Sequence, residues 1–366
     1  MRSILSIRTI AVALTASSLL TAGTPTSSAQ EAPRNEAAAW KFLAGLPRDA
    51  RLAVLEREAR REGSLVIYGA LGIDRANLFI KSFQERYPGI KVDFVRLREP
   101  ELVEKSLLEN RTGRVNGDIA ISNVPWLQLL KPALAPYEPT TWASFDGRLR
   151  RGGFNDGWTA VVYEILPSTI AWRTDRVRKE EAPRTLDEMA DPKWKGRAGT
   201  TSHVEAMMDG LVAAYGEKEA MAKSEKLAAL DNRLYPSIAA LSDALSAGEI
   251  DIAWNMGAHR SVQLKGSGAP IDYVFQDPLL GVGITVSALK GAPHFYAAAL
   301  LMEHLTSAPT LEELDKAEGG RIFGNTEGTY ALNLSEFPNL ILFDSIDQAR
   351  FRELKQIAER LFIRRR

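Results

Sequence analysis

The side chains of this chain best able to do chemistry are four histidines, a run of hydroxyls and a few arginines. The histidines are His203, His259, His294 and His304, and no two stand at metal-ligand spacing. His294 and His304 lie ten residues apart on one expected helix and do not share a face squarely. Each reads as a surface or packing residue. The chain has no G-x-S-x-G elbow, P-loop, H-E-x-x-H or glycine fingerprint after its first strand. Gly266-Ser267-Gly268 and Gly281-Val282-Gly283 read as turns. The pattern therefore points to binding without catalysis, with no cofactor and no metal expected. Thr201-Ser202-His203-Val204-Glu205 has two readings. Hydroxyls and free amides at a helix start can hold a phosphate or carboxylate, with Thr201 the direct contact. Ser202 and Glu205 also fit a capping box, which would weaken anion affinity there. Arg173 and His259-Arg260 would suit an acidic solute. Asp277, Trp126, Trp172 and Trp254 would suit a cationic one.

Composition limits the partners. There are 46 basic and 46 acidic residues in 366, with 45% hydrophobic and 25% charged residues. Met1 to Ala29 reads as a cleaved secretory signal: Arg2 and Arg8 precede an apolar run, Ile10 to Leu20, and Ser27-Ser28-Ala29 offers a small-residue cleavage site. The run is shorter than the roughly 20 residues a bilayer span needs. Loss of Arg2 and Arg8 from the 46 basic residues leaves 44 against 46 acidic ones, so no nucleic-acid partner is expected. With no cysteine, neither a disulfide nor lipid attachment at the cleavage site is available. The expectation is an exported, periplasmic protein, not membrane-embedded, monomeric and stabilised by its core. The terminal Arg364, Arg365 and Arg366 suit a helix C-terminus.

The elements that must position these residues alternate. Residues 31–63 read as a helical extension on the spacing of Leu52, Leu55 and Ala59. Leu65 to Tyr68 reads as a buried parallel strand. A helix follows, capped by Asp74, burying Ala76, Phe79, Ile80 and Phe83 and stopped by Pro88-Gly89. Strand Ile90 to Val95, helix Glu99 to Asn110 and strand Asp118 to Ser122 continue the unit. Two extended segments, Val161 to Ile165 and Ser168 to Ala171, are separated by Pro167. The α/β rhythm resumes with helix Val204 to Tyr215, strands Ile250 to Trp254 and Ile271 to Phe275, and a crossing segment from Val282 to Leu289. Pro293 can open a further helix. The fold class is α/β with a mainly parallel sheet.

In such sheets ligands bind in a crevice at the carboxyl ends of the strands. Those ends supply the candidate ligand-binding residues Tyr68, Gly69, Ala70, Ser122, Asn123, Thr201, Ser202, His203, Trp254, Asn255, Met256 and Asp277. Aromatic faces would give contact area there, and amides and hydroxyls would give orientation.

Several segments resemble the extracellular solute-binding proteins of bacterial ABC importers, in the group that includes ferric-iron, thiamine and phosphonate binders. They are Leu65 to Tyr68 with the helix ending at Phe83 to Ile90, then Gly117 to Ser122 with Leu134 to Tyr137. Thr185 to Arg197 is the most specific of them. Gly248 to Ile252, Lys265 to Pro270 and Lys290 to Pro293 complete the series. The resemblance implies a two-lobed, type II-like periplasmic-binding-protein fold whose lobes, joined by crossing strands, close on a solute like a hinge. The expected division is lobe 1 at 64–164 and 278–330, and lobe 2 at 165–277 and 331–366, after an extension at 30–63. The implied role is capture of a small organic solute and its delivery to an inner-membrane permease. A ligand-sensing partner of a membrane receptor is the alternative on the same fold. Ferric binders of the group carry two adjacent tyrosines, which here would fall at Trp254 to His259. No tyrosine pair occurs in the chain, so a ferric binder lacking that pair is the less favoured alternative.

Overall fold

The computed structural model describes residues 31–343 and 348–363. The expected signal, Met1 to Ala29, and Arg364 to Arg366 lie outside them. The extension is helical as expected, in two pieces: α1 (Glu36–Ala44) and α2 (Arg48–Glu62). The break falls at Gly45-Leu46-Pro47, since a proline disfavours helical geometry in the residue before it. Gly63, at φ 68°, closes α2 in the left-handed conformation that glycine adopts without strain. The expected alternation follows: β1 (Ser64–Gly69), α3 (Ile73–Arg86), β2 (Lys91–Arg96), α4 (Glu99–Thr112) and β3 (Ile119–Asn123). Helix α3 buries Ala76, Phe79, Ile80 and Phe83 as its spacing requires, but its N-cap is Gly72. Asp74 instead sits in the first turn, where the helix dipole favours a negative charge.

A short α5 (Leu127–Leu130) and β4 (Arg150–Gly153) lead to β5 (Trp158–Arg173). Strand β5 runs unbroken through Pro167, where the sequence suggested two segments. Pro167 is tolerated because it stands where the strand changes partners. Residues up to Pro167 pair with the strand Leu280–Ala288, and Ser168 onward pairs with the strands Ile252–Gly257 and Ile271–Phe275. The chain continues with α6 (Leu186–Met189), β6 (Ala198–Thr201), α7 (Glu205–Tyr215), α8 (Glu217–Ala228) and β7 (Arg233–Tyr235). Next are α9 (Ile238–Ala247), β8 (Ile252–Gly257), α10 (Ala258–Gly266), β9 (Ile271–Phe275) and β10 (Leu280–Ala288). It ends with α11 (Phe295–Leu305), α12 (Ala308–Glu318), β11 (Ile322–Phe323), β12 (Ile341–Leu342) and α13 (Gln348–Ala358).

The strands join in the order β2-β1-β3-β10-β5-β8-β6-β7. Pairs β1/β2 and β1/β3 are parallel at one end, and β6/β7 and β6/β8 are parallel at the other. Between them β10 and β5 are antiparallel to each other and to β3 and β8. Two parallel α/β wings joined by two crossing strands make the two-lobed arrangement the sequence implied. Each wing has its own core. Tyr68, Leu102, Ala120, Leu127 and Leu130 pack in the first. In the second, Trp172, Trp194, Met207, Leu211 and Trp254 pack on one side of the sheet, and Leu241, Leu245 and Met256 on the other. Leu354, Ala358 and Phe362 of the C-terminal segment join the second core.

The extension is part of the first wing. Helix α11 is buried along its whole length, as a helix apolar all round must be, because α2 covers the side turned away from the sheet. Trp40 packs its ring 5.1 Å from Tyr137 and 5.6 Å from Phe295. Glu62 accepts from the backbone amides of Tyr296 and Ala297 at 3.2 and 2.7 Å, filling the N-terminal donors that α11 cannot satisfy itself.

Candidate functional site

A cavity of about 240 Å³ opens where the two wings meet the crossing strands. Ala70, Leu71, Gly72 and Arg75 reach it from the end of β1 and the start of α3, and Glu99, Ile121, Ser122 and Asn123 from α4 and β3. The crossing strands contribute Glu164, Leu166 and Ile284, the second wing His259, and the β11 entry Arg321. Larger concavities, about 660 Å³ along α13 and about 550 Å³ between α4 and α5, take their walls from one wing alone. Small-molecule sites are enclosed between elements, so the smaller interlobe cavity is the candidate site.

Its charged groups form a network. Glu164 is 1% exposed, Arg75 5% and Arg321 6%. Glu164 accepts from Nη2 of Arg75, and from Nη1 of Arg321 at 3.1 Å. Glu318 takes Nε of Arg321 at 3.0 Å and lies 3.2 Å from Nη1 of Arg75. Buried charges persist only when paired, and two carboxylates balance two guanidiniums here. Glu99 accepts from Oγ of Ser122 at 2.6 Å and from the backbone N–H of Asn123 at 2.7 Å. Burial outweighs these bonds and pushes its carboxyl up to about 7. His259 is pushed down to about 3, by burial first and then by the positive charges of Arg321, Arg260 and Arg75, so its ring is neutral at physiological pH. Gly257 makes room for that ring, since a Cβ there would lie 2.7 Å from Cε1 of His259.

The structure distributes the sequence-derived candidates unevenly. Ala70, Ser122 and Asn123 line the cavity. Tyr68 is buried, its hydroxyl donating to Glu109 at 2.9 Å, and Gly69 leaves space that the Phe94 ring fills. Trp254 is fully buried and donates from Nε1 to Asn232 at 2.8 Å, and Met256 is core. These aromatic and apolar side chains pack inward because alternate residues of a two-sided sheet face the helices covering it. Asn255, at φ 53°, accepts from Ser168 at 3.1 Å and donates its N–H to Gln276 at 3.0 Å, beside the cavity but not in its lining. Asp277 is exposed, its carbonyl accepting from the N–H of Leu186. Thr201 is 5% exposed at the end of β6, and Ser202 donates its N–H to the carbonyl of Tyr235. The expected Ser202 and Glu205 capping box does not form. Helix α7 takes Val204 as N-cap with no side-chain bond, and Glu205 lies 3.4 Å from the exposed His203.

Neither arginine singled out in sequence lines the cavity. Arg173 binds Asp175 and the carbonyls of Leu245 and Ser246, and Arg260 binds Gln263. Two histidines do pack or pair as expected. His304 is buried against Phe83 and Tyr87, and His294 contacts Asp118 at 3.0 Å. His259, read as surface or packing and also, with Arg260, as suited to an acidic solute, faces the cavity. Arg75, Glu99, Glu164 and Arg321 went unnoticed in sequence. One signal for them exists: Glu164 is a charged residue inside an otherwise apolar strand, and buried Glu is rare unless paired. Among the described residues no group of three or more His, Asp or Glu is placed to hold a metal ion, and no helix is long and apolar enough to cross a membrane.

Comparison with known proteins agrees with this geometry. Iron-bound HitA from Pseudomonas aeruginosa superposes with a TM-score of 0.66 at 18% identity, covering 81% of this chain and 99% of that one. The periplasmic binding protein AfuA from Actinobacillus pleuropneumoniae, with exogenous fructose-6-phosphate bound, superposes at 0.65 and 18%, covering 82% and 98%. The substrate-binding protein of an ABC transporter from Agrobacterium tumefaciens gives 0.69 and 14%, covering 82% and 94%. No curated protein matches the chain in sequence. The model of the bacterial extracellular solute-binding proteins matches residues 71–311, and with two lobes meeting at an enclosed cleft the chain belongs to that family.

Proposed function

We propose that this protein is the periplasmic substrate-binding component of an ABC importer, capturing a small organic solute between its lobes and delivering it to a membrane permease. The lobes are 64–164 with 278–330, and 165–277 with 331–366. The observation that carries the reading is the composition of the cavity wall. It draws on both wings and on both crossing strands, so a bound solute touches both lobes and the strands between them, and rewards closure by its differential contacts. On this reading the protein acts by binding the solute unchanged.

Iron is disfavoured as cargo. The cavity wall contains no tyrosine, and the stretch from Trp254 to His259 offers a buried indole and one neutral imidazole where phenolates would be wanted. The fructose-6-phosphate held by AfuA shows that this fold accommodates an organic solute. The test is calorimetric titration and thermal melting of the exported chain against sugars, sugar phosphates, carboxylates, amino acids, polyamines and ferric iron. Mass spectrometry then examines the recovered solute. Saturable binding of one organic class, recovered intact, is expected, with the melting temperature rising with ligand concentration. Binding of ferric iron alone, or conversion of the solute, would overturn the proposal.

A further inference from the structure

Two residues that line the cavity keep donor atoms without a hydrogen-bond partner among the described residues. Arg75 is 5% exposed, yet its Nε and Nη1 have no hydrogen-bond partner among the described residues; Nη1 faces Glu318 only as an ion pair. Nδ1 of His259, on the opposite wing, is likewise buried without a partner. A buried polar atom left unbonded costs on the order of 1–3 kcal/mol, so these are positions where an occupant would be stabilised. Guanidinium nitrogens only donate, and the neutral imidazole donates from Nδ1 in one of its tautomers. Beside them Leu71 and Gly72 line the cavity at the start of α3, and Gly72 brings no capping side chain to cover that helix end.

The competing anions are already committed. Both oxygens of Glu164 accept from guanidiniums, Glu318 holds Arg321, and Glu99 accepts from Ser122 and from the N–H of Asn123. A cationic group entering near His259 would meet Arg75 and Arg321, which line the same cavity. An acceptor-rich, negatively charged group meets the complementary arrangement.

We propose that the solute is a small oxyanion, a carboxylate or a phosphate ester, whose charged oxygens bridge Arg75 of lobe 1 and His259 of lobe 2. The proposal rests on the reading of the interlobe cavity as the solute site and names the chemistry of its occupant. Such a bridge also gives closure a cause, because each lobe alone supplies only part of the contact.

The experiment is titration calorimetry at pH 7 and low salt with inorganic phosphate, succinate, fructose-6-phosphate and its neutral parent fructose. The proteins are the wild type, Arg75→Gln and His259→Leu, with melting curves to confirm folding. Binding of an oxyanion but not of fructose is expected. Removing one charge-assisted contact should weaken it by roughly tenfold to a hundredfold. Phosphate and fructose-6-phosphate against succinate separate the two oxyanion classes. His259→Leu keeps the test decisive if Arg75→Gln does not fold. Oxyanion affinity unchanged in a folded His259→Leu protein would overturn the proposal. So would a cleft that takes only neutral or cationic solutes, although the solute-binding function would stand. No binding by any solute class to folded wild type would overturn both.

Discussion

Replacing Glu164 by Gln removes the carboxylate shared by two guanidiniums while nearly conserving volume. Arg75 and Arg321 are each more than nine-tenths buried, so solvent screening gives little relief. Taking one partner from a buried ion pair destabilises by about 3–5 kcal/mol. Glu318 remains 3.2 Å from Arg75 and 3.0 Å from Arg321, and the Gln carbonyl can still accept one bond. The lower end therefore applies, about 3 kcal/mol. For a chain of this size that corresponds to a fall in melting temperature of roughly 4 °C. Differential scanning calorimetry at pH 7 measures it directly. A fall of less than about 2 °C would mean that the network is hydrated and weakly coupled, which would refute the claim that Glu164 holds the two arginines in place.

Three further outcomes test other parts of the structure. Trp40→Ala, which removes a 3% exposed indole packed against Tyr137 and edge-on to Phe295, should cost about 3–5 kcal/mol. An unchanged melting temperature would show that the extension does not cover α11 in solution. Gly257→Ala is compatible with a backbone φ of −66° but places a methyl 2.7 Å from the His259 ring. The fold should survive, while the imidazole NMR signals shift and solute affinity falls. The third concerns pH. Glu99, raised from 4.5 to about 7 mainly by burial, binds its proton more tightly when folded, so it contributes stability below about pH 4.5 that is lost as pH rises through 7. His259, lowered from 6.5 to about 3, again chiefly by burial, contributes the opposite slope: stability falls as pH drops below 6.5. Relative to wild type, Glu99→Gln should gain stability as pH rises from 4.5 to 7, and His259→Leu as pH falls from 6.5 toward 3. Each slope has an upper bound of about 1.4 kcal/mol per pH unit. Denaturation midpoints that track wild type across both windows would refute the assignments.

The alternation of β1, α3, β2, α4 and β3 was readable because each element carries its own periodicity: Phe79, Ile80 and Phe83 recur at helical spacing, and Leu65 and Ile67 alternate in a strand. Pro167 misled because local chemistry suggests a break, whereas the strand changes partners at that residue and the missing N–H is not needed. Ser202 and Glu205 misled for the reverse reason. Their spacing fits a capping box, but Ser202 uses its N–H on Tyr235 and α7 begins two residues too late for the box to close.

The cavity itself was the least legible part, and the reason lies in how it is assembled. Strand ends pointed to Ala70, Ser122 and Asn123, which arrive with the sheet and line the cavity. The network that charges the cleft pairs Glu164 with residues 89 and 157 positions away, and contacts over such separations leave no period in a single sequence. They leave only a local contradiction. A carboxylate between Tyr163 and Ile165 makes no sense for an apolar strand unless cations come to meet it, since an unpaired buried charge would shift its pKa or unfold the site. The same test applied along β5, β8 and β10 marks Glu164 alone among their Asp and Glu residues, because those three strands contain no other. A buried carboxylate in a crossing strand thus marks the cleft in this chain, and the cations that come to meet it are Arg75 and Arg321.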